Sequence, residues 1–562
     1  MPGLIGTVNQ NINSIIGFQK AFDELTIDYT NIKDELYQDE SIIAQRAHLG
    51  IFGEQSSPFT KNNNYAWVEG EIYNHQLIEK ELGQNFTSFS EILLHCYEKN
   101  TLQNTLAIVD GYFCAVIYDK TNKKILLISD RYGFKPLYFN SKHFAWSSEL
   151  KSFKHFESNS LELNYEAIST FLDLGQFMGN TTYFKDIEII DASTVLEYDI
   201  LTSSIKKERY WLWSNIKQQN ISLNESADVL YFHLKKAVES RLDLNENEKI
   251  GVNLSGGIDS RVLLSQTDQS IPAITFGTPT CRDYLLAKKV SHKKNIPHTL
   301  FELNEHNWFN GKLESIWNTD GMFNLMHMHP SPYVNDFIKY YSINLNGFAG
   351  DLNIGGGWIT KLNSKISIDV AKSKFCSGVQ LTNIDDSFYN FPHEDPYFID
   401  NRVRRFTNMG TIQNSKTIEQ RKPFFENDLI QFIYSIPDEY RQNGLVYNQM
   451  IKKHLKELFW NIPTTHSIYP VNRERDYYLR FKTKLKHGLM KIGFVQQYNW
   501  KYTNYEDWYY QPNFQSLIKE LFKESILFEH AHSLKIGLPQ FHDKNLTIAQ
   551  IEKNLIYITV EI

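Results

Sequence analysis

The sequence predicts two folded halves: an α+β N-terminal half built on a β-sheet sandwich, then an α/β half with a doubly wound parallel sheet and a helical C-terminal region. Three observations predict this. Short β-rich runs broken by polar turns fill roughly the first 205 residues. Strand-like and helix-like runs alternate from Asn224 through Asp351. A chain of 562 residues is also too long for a single hydrophobic core.

In the first half, "YAWVEGEIYNH", "GYFCAVIYDKTNKKILLISDRYG" and "KPLYFNSKHFAWSSE" alternate partially and read as strands, with "DKTNKK" as a hairpin turn. "SFSEILLHCYEKN" reads as a helix between strands. The character changes around "KKERYWLWSNIKQQNISLNES". Beyond it "KIGVNL" precedes "RVLLSQ", "IPAITFG" precedes "RDYLLAKKVSHKKN", and "IPHTLFEL" follows, which is the alternation of a parallel sheet. "NDLIQFIYSI" and "YNQMIKKHLKELF" read as helices. The expected units are 1–205, 206–480 and a C-terminal extension, 481–562, rich in Tyr, Trp and Lys.

Bulk properties narrow the classes of partner. Formal net charge is -7 and pI about 6.2, which argues against nucleic acid or an anionic membrane. Cys96, Cys114, Cys281 and Cys376 stand far apart without a CxxC pair, so neither a zinc site nor a disulfide framework is expected. No run approaches the length of a membrane helix, and the N-terminus lacks a basic start before an apolar stretch. A cytoplasmic protein is expected, with a homodimer left open.

Two glycine turns carry the chemistry. "NLSGGIDSR" (253–261) breaks a strand-like run and opens a helix-like one, so it presents backbone N–H groups to an anion. "NGFAGDLNIGGG" (346–357) follows the apolar run around Ile343 and Leu345. In an open α/β sheet both turns face the crevice beyond the carboxyl ends of the strands, which would bring Asp259 and Asp351 together. Paired carboxylates beside a phosphate nest suit Mg²⁺ bridging to phosphate oxygens. There is no GxxxxGK[ST], and aspartate in place of lysine suits release of pyrophosphate. Taken singly, each loop also reads as a plain turn or a helix cap; two of them at strand ends favour a site.

"LSGGIDS", "ITFG" and "NGFAGD…GG" resemble the asparagine synthetase family of ATP-pyrophosphatases, whose loops run SGGxDS and close to SGEGSDE. "EQRKPFFENDLIQFIYSIPDEY" looks like the family's "EARVPFLD" region. "EGEIYNH", "VDGYFCAVIYD" and "SDRYGFKPLYF" resemble its class II glutaminase domain, an Ntn-hydrolase-like fold. The likeness runs to about residue 472. It implies that ATP lies across Leu254, Ser255, Gly256, Gly257, Asp259 and Ser260, with Phe276 near the adenine and Asn346 and Gly347 beneath the nucleotide. It implies Mg²⁺ on Asp259 and Asp351, and adenylation of a small-molecule or peptide carboxylate for attack by an amine.

The chain departs from the family at several of these points. Pro2 stands where the family exposes its nucleophilic cysteine, and proline has no thiol. The family's "NGE" has become Glu69-Gly70-Glu71, with a carboxylate in place of an oxyanion-stabilising amide. His48 replaces the arginine that grips glutamine, and Phe89 falls near the aspartate that holds its amine. Glutamine hydrolysis is therefore expected to be absent. In the synthetase half, Phe348 replaces an acid or, in the β-lactam-forming branch, a tyrosine. "NIPTTHSIYPVNRER" lacks the family's lysine, leaving Arg473 and Arg475 as candidates for amine attack.

These features point to an AMP-forming amide ligase that tailors a peptide or natural product, as β-lactam synthetases and lasso-peptide cyclases do. Asparagine synthesis from ammonia and a non-catalytic nucleotide-binding scaffold are the alternatives. A sulphur-transfer or tRNA-modifying pyrophosphatase fits less well, because the first half resembles a glutaminase and no catalytic cysteine pair is present.

Overall fold

The central strands of each sheet in the first half are buried on both faces, while the edge strands are partly exposed. The computed structural model describes residues 2–8, 13–25, 32–52, 55–156, 161–243, 248–359, 387–465, 470–471, 474–478, 481–482, 484–485, 501–534, 541–543 and 545–562. The strands of the first half are β1 (Gly3–Val8), β2 (Ile32–Lys33), β3 (Tyr37–Gln38), β4 (Ile42–His48), β5 (Phe59–Lys61), β6 (Asn64–Ile72), β7 (Gly111–Asp119), β8 (Lys124–Ser129), β9 (Tyr138–Asn140), β10 (Ala145–Ser147), β11 (Ile187–Ile189), β12 (Thr194–Asp199) and β13 (Ser204–Arg209). They form two antiparallel sheets, ordered β11-β9-β10-β1-β4-β2 with β3 also on β4, and β13-β12-β8-β7-β6-β5.

Strand β7 shows why the sheets stack. Cys114, Val116 and Tyr118 point toward the other sheet and meet Leu4, Ile42, Ala44 and Trp146. Phe113, Ala115 and Ile117 point outward and are covered by Ile92, Leu93 and Cys96 of the helix Phe89–Glu98. On the far side Ile5, Ile43 and Ala47 are covered by Phe18, Ala21, Phe22 and Leu25 of the helix Asn13–Leu25. A period-2 pattern buried on both sides yields four layers, helix–sheet–sheet–helix. The "DKTNKK" turn is the β7–β8 hairpin, with Asp119 paired to Lys124. The second sheet continues to Arg209.

The second half holds a parallel sheet of β14 (Ile250–Asn253), β15 (Ala273–Gly277), β16 (His298–Glu302), β17 (Ile343–Leu345) and β18 (Glu419–Arg421), ordered β16-β15-β14-β17-β18. The chain winds outward from β14 to β16, then returns to lay β17 on the other side of β14. The topological switch point therefore lies between β14 and β17, where the crevice of such a sheet opens.

The C-terminal extension, unreadable from sequence, is part of the core. Its last helix, Ile548–Glu561, starts at a capping box of Thr547 and Gln550 and buries Ile551, Leu555 and Ile558. These residues share a core with Phe171 and Leu172 of the helix Tyr165–Leu174 in the first half and with Leu325 and Met328 in the second. Among the described residues no helix is long and apolar enough to cross a membrane. Cys96, Cys114 and Cys281 are buried free thiols, and Cys376 lies outside the described residues.

Candidate functional site

The two glycine turns leave β14 and β17, the strands that flank the switch point, and they pack directly on one another. Leu254 N–H still follows the sheet, donating to Ile274 O across 2.8 Å, and the chain then breaks away. Ser255 N–H donates to Ser260 Oγ at 3.2 Å, Gly257 N–H to Ser255 Oγ at 3.1 Å, and Gly256 N–H to Asp283 Oδ1 at 3.1 Å. The nest thus already holds one carboxylate of the protein itself. The helix Asp259–Ser265 begins at the aspartate. From the other loop, a Cβ on Gly347 would lie 2.9 Å from Ser260 N, and one on Gly350 would lie 2.8 Å from Asp259 Cγ. Only glycine permits so close an approach.

The loops converge on Asp259. Its Oδ2 accepts the N–H of Asp351 at 3.0 Å, and its Oδ1 accepts the hydroxyl of Tyr447 at 2.9 Å. Burial, then the charge of Asp351, pushes the Asp259 carboxyl up to about 7. A group so placed gains from a cation, which would offset both effects. Among the described residues no cluster of three or more His, Cys, Asp or Glu side chains is poised to hold a metal. Two carboxylates alone fit Mg²⁺ that takes its remaining ligands from phosphate and water, because Mg²⁺ keeps several non-protein ligands.

Of the expected nucleotide residues, all but Phe276 sit on or beside the two loops. Leu254, Gly256 and Ser260 are buried, Gly257 is half-buried and Ser255 is exposed. Asn346 N–H donates to Arg421 O at 2.8 Å and its side chain to Gln420 at 2.9 Å, so β18 fixes it. Phe276 is the penultimate residue of β15, with its ring packed in the core against Phe301 and Phe337. Arg475 is exposed on the helical residues 474–478, and Arg473 lies outside the described residues.

Four residues near this crevice carried no signal in the sequence reading. Tyr447 and Asp283 belong to helices whose contacts only folding defines. Arg261 is fully buried and donates to Gly256 O, Ile462 O and Pro463 O, which fastens the "NIPTT" segment to the first loop. Lys422 follows β18 directly and lies at the same carboxyl edge as both loops. The family's lysine follows "IP", whereas this one stands within "EQRKPFF".

In the first half the positions that depart from the glutaminase pattern are engaged elsewhere. Pro2 is buried ahead of β1. Glu69 and Glu71 sit two residues apart on β6 and share a face. Glu69 pairs with Lys135 at 3.3 Å, and Lys135 also pairs with Glu419 of β18 at 3.0 Å. Glu71 accepts from Arg421 at 2.5 Å, and Arg421 also pairs with Glu248 at 2.8 Å. Glu71 therefore joins the two halves directly, and Glu69 does so through Lys135. His48 lies 3.7 Å from Asp34 and accepts from Gly50 N–H, while Phe89 packs edge-on against Phe113. Burial pushes the Cys114 thiol up to about 12, far from a nucleophile's range.

Comparison with known proteins agrees with this division. Residues 1–211 match the glutamine amidotransferase domain family, and residues 230–365 match asparagine synthase. "Asparagine synthetase [glutamine-hydrolyzing] 2" of Bacillus subtilis is 23% identical over 94% of this chain and 77% of its own length. A putative asparagine synthetase of Methanocaldococcus jannaschii is 26% identical over 48% of each chain, so this chain spans about half of that relative. The solved glutamine phosphoribosylpyrophosphate amidotransferase of B. subtilis superposes with a TM-score of 0.27 and 14% identity over 53% of this chain and 65% of its own, a likeness too remote to bear on the site.

Proposed function

We propose that this chain, a member of the asparagine synthetase family, is an ATP-dependent carbon–nitrogen ligase that adenylates a carboxylate, releases pyrophosphate and passes the acyl group to an amine without hydrolysing glutamine. The observation that carries the reading is the meeting of Asp259 and Asp351 at the switch point of the parallel sheet, beside a glycine nest.

The chain's own residues supply most of what the first step needs. The Ser255–Ser260 nest offers N–H and hydroxyl donors to phosphate oxygens once Asp283 yields its place on Gly256. Asn346, held by β18, is assigned to the nucleotide by the family resemblance, and Asp259 and Asp351 would hold Mg²⁺. Bound there, Mg²⁺ neutralises charge developing on the pyrophosphate leaving group. Activation as an acyl-adenylate gives the later amine attack a far better leaving group than hydroxide.

Absence of glutamine hydrolysis is supported by Pro2, by the engagement of Glu69 with Lys135, and by His48 and Phe89 in place of glutamine-binding groups. The amine then comes from elsewhere, either a second group on a peptide or natural-product substrate or free ammonia.

The test is pyrophosphate and AMP release from Mg·ATP by the full chain, with L-aspartate and a panel of amino acids and peptides as acids. Turnover that Asp259→Asn abolishes is expected. Nucleotide binding with no AMP formed from any acid would favour a scaffold instead.

A further inference from the structure

Lys422 occupies a setting that no packing requirement explains. It follows Arg421, which pairs with Leu345 of β17, and Asn346 leaves β17 at the same level. The ends of β14, β17 and β18 thus bring the nest, the carboxylate loop and this lysine to one edge of the sheet. The family segment quoted above, "EARVPFLD", has valine here, so an apolar side chain serves that position elsewhere.

The side chain is 4% exposed and enclosed by three rings, with Nζ at 5.3 Å from the centroid of Tyr112, 4.9 Å from Phe134 and 5.2 Å from Phe348. Tyr112 and Phe134 belong to the first half, whereas Phe348 lies in the nucleotide loop. Nζ donates to Asn408 Oδ1 across 2.8 Å. The orientation of that amide is fixed, because Asn408 Nδ2 donates to Phe134 O at 2.9 Å and must face the other way. The charged groups facing the amine are Asp130, Lys135 and Glu419, and Lys135 is already paired with Glu69 and Glu419. Burial outweighs Asp130 and brings the amine down to about 7.

We propose that Lys422 is the proton acceptor for the amine that attacks the acyl-adenylate, and that the N-terminal half contributes to the reaction by caging it. This rests on the adenylation reading above. The attacking nitrogen's lone pair forms the C–N bond, its excess proton passes to the lone pair of Nζ, and the C–O bonding pair departs with AMP. A base is most effective when it titrates near the working pH, which the cage provides and an exposed lysine does not. Caging the lysine would give a task to a glutaminase-like half in which Glu69 is engaged by Lys135.

The decisive measurement needs no knowledge of the acid. Full-length protein carrying ¹³C-methylated lysines is titrated by NMR, with Lys422→Met to assign the resonance, with and without Mg·AMPPNP. The expected result is titration within about one unit of neutrality, moved by the nucleotide. Titration near the ordinary lysine value, or indifference to nucleotide, overturns the proposal. A second arm uses L-aspartate and hydroxylamine as probes. In wild type, AMP and hydroxamate should form, and Lys422→Met should keep pyrophosphate release but lose hydroxamate at least tenfold, with the acidic limb of the pH profile abolished. Equal hydroxamate from both proteins overturns the proposal. Failure of wild type to form AMP counts against adenylation of aspartate, and the titration still decides the role of Lys422.

Discussion

The N–H of Asp351 donates to Oδ2 of Asp259 across 3.0 Å, joining two loops 92 residues apart in the chain at the one place where the parallel sheet changes direction. The bond orients one carboxylate with the backbone of the other and leaves the Asp351 side chain exposed at the mouth of the crevice.

From that pair follows a double outcome for Asp259→Asn. Nucleotide turnover falls by about 100-fold or more, because the variant loses the charge that faces the cation and leaving group. Stability moves the opposite way. The folded carboxyl is raised to about 7, above its unfolded value of about 3.9, so its favourable contribution is complete at low pH and drains away between those values. Without nucleotide, thermal denaturation should show the variant gaining on wild type between pH 4 and pH 8.

Tyr447→Phe removes the other hydrogen bond to Asp259 while keeping the ring. Losing a partner that orients a metal ligand weakens metal affinity by about 10- to 100-fold. The Mg²⁺ concentration needed for half-maximal pyrophosphate release should rise by that factor, with the saturated rate much less affected.

Restoring a thiol will not restore a glutaminase. Pro2→Cys leaves Glu69 paired with Lys135 where an oxyanion-stabilising amide is required. Glutamate release from glutamine by that variant should stay at the level of the protein-free control in a coupled dehydrogenase assay.

Arg421 is buried between Glu71 and Glu248, so removing one member strands charge in the interior. Arg421→Met should cost about 3–5 kcal/mol in urea unfolding. Because Asn346 N–H rests on Arg421 O, a milder variant, Glu71→Gln, should also raise the KM for ATP.

Lys422 gives a pH signature of its own. A lysine lowered to about 7 when folded and near 10.4 when unfolded loses stability as pH falls between those values, since only the unfolded chain takes up the proton there. Lys422→Met should therefore gain on wild type in urea midpoints as pH is lowered from 10 to 7, and the difference should level off below 7.

The sequence by itself determined the two halves, their order, the parallel sheet and the two glycine turns. Those features rest on local signals: β-rich apolar runs such as Phe113 to Tyr118, strand–helix alternation, and glycines at the breaks between strand-like and helix-like runs. It also marked Glu69 as out of place for a glutaminase, since a carboxylate in an oxyanion position is wrong whatever surrounds it.

Only the tertiary structure decided what those residues do instead. Glu69 and Glu71 reach Lys135 and Arg421, and Lys422 meets rings from three distant segments. The C-terminal extension likewise proved to be core through Leu555 and its neighbours, joined to both halves. Such contacts depend on which surfaces the sheets and helices bring together, and no spacing along the chain encodes a partner some 280 residues away, as with Lys135 and Glu419.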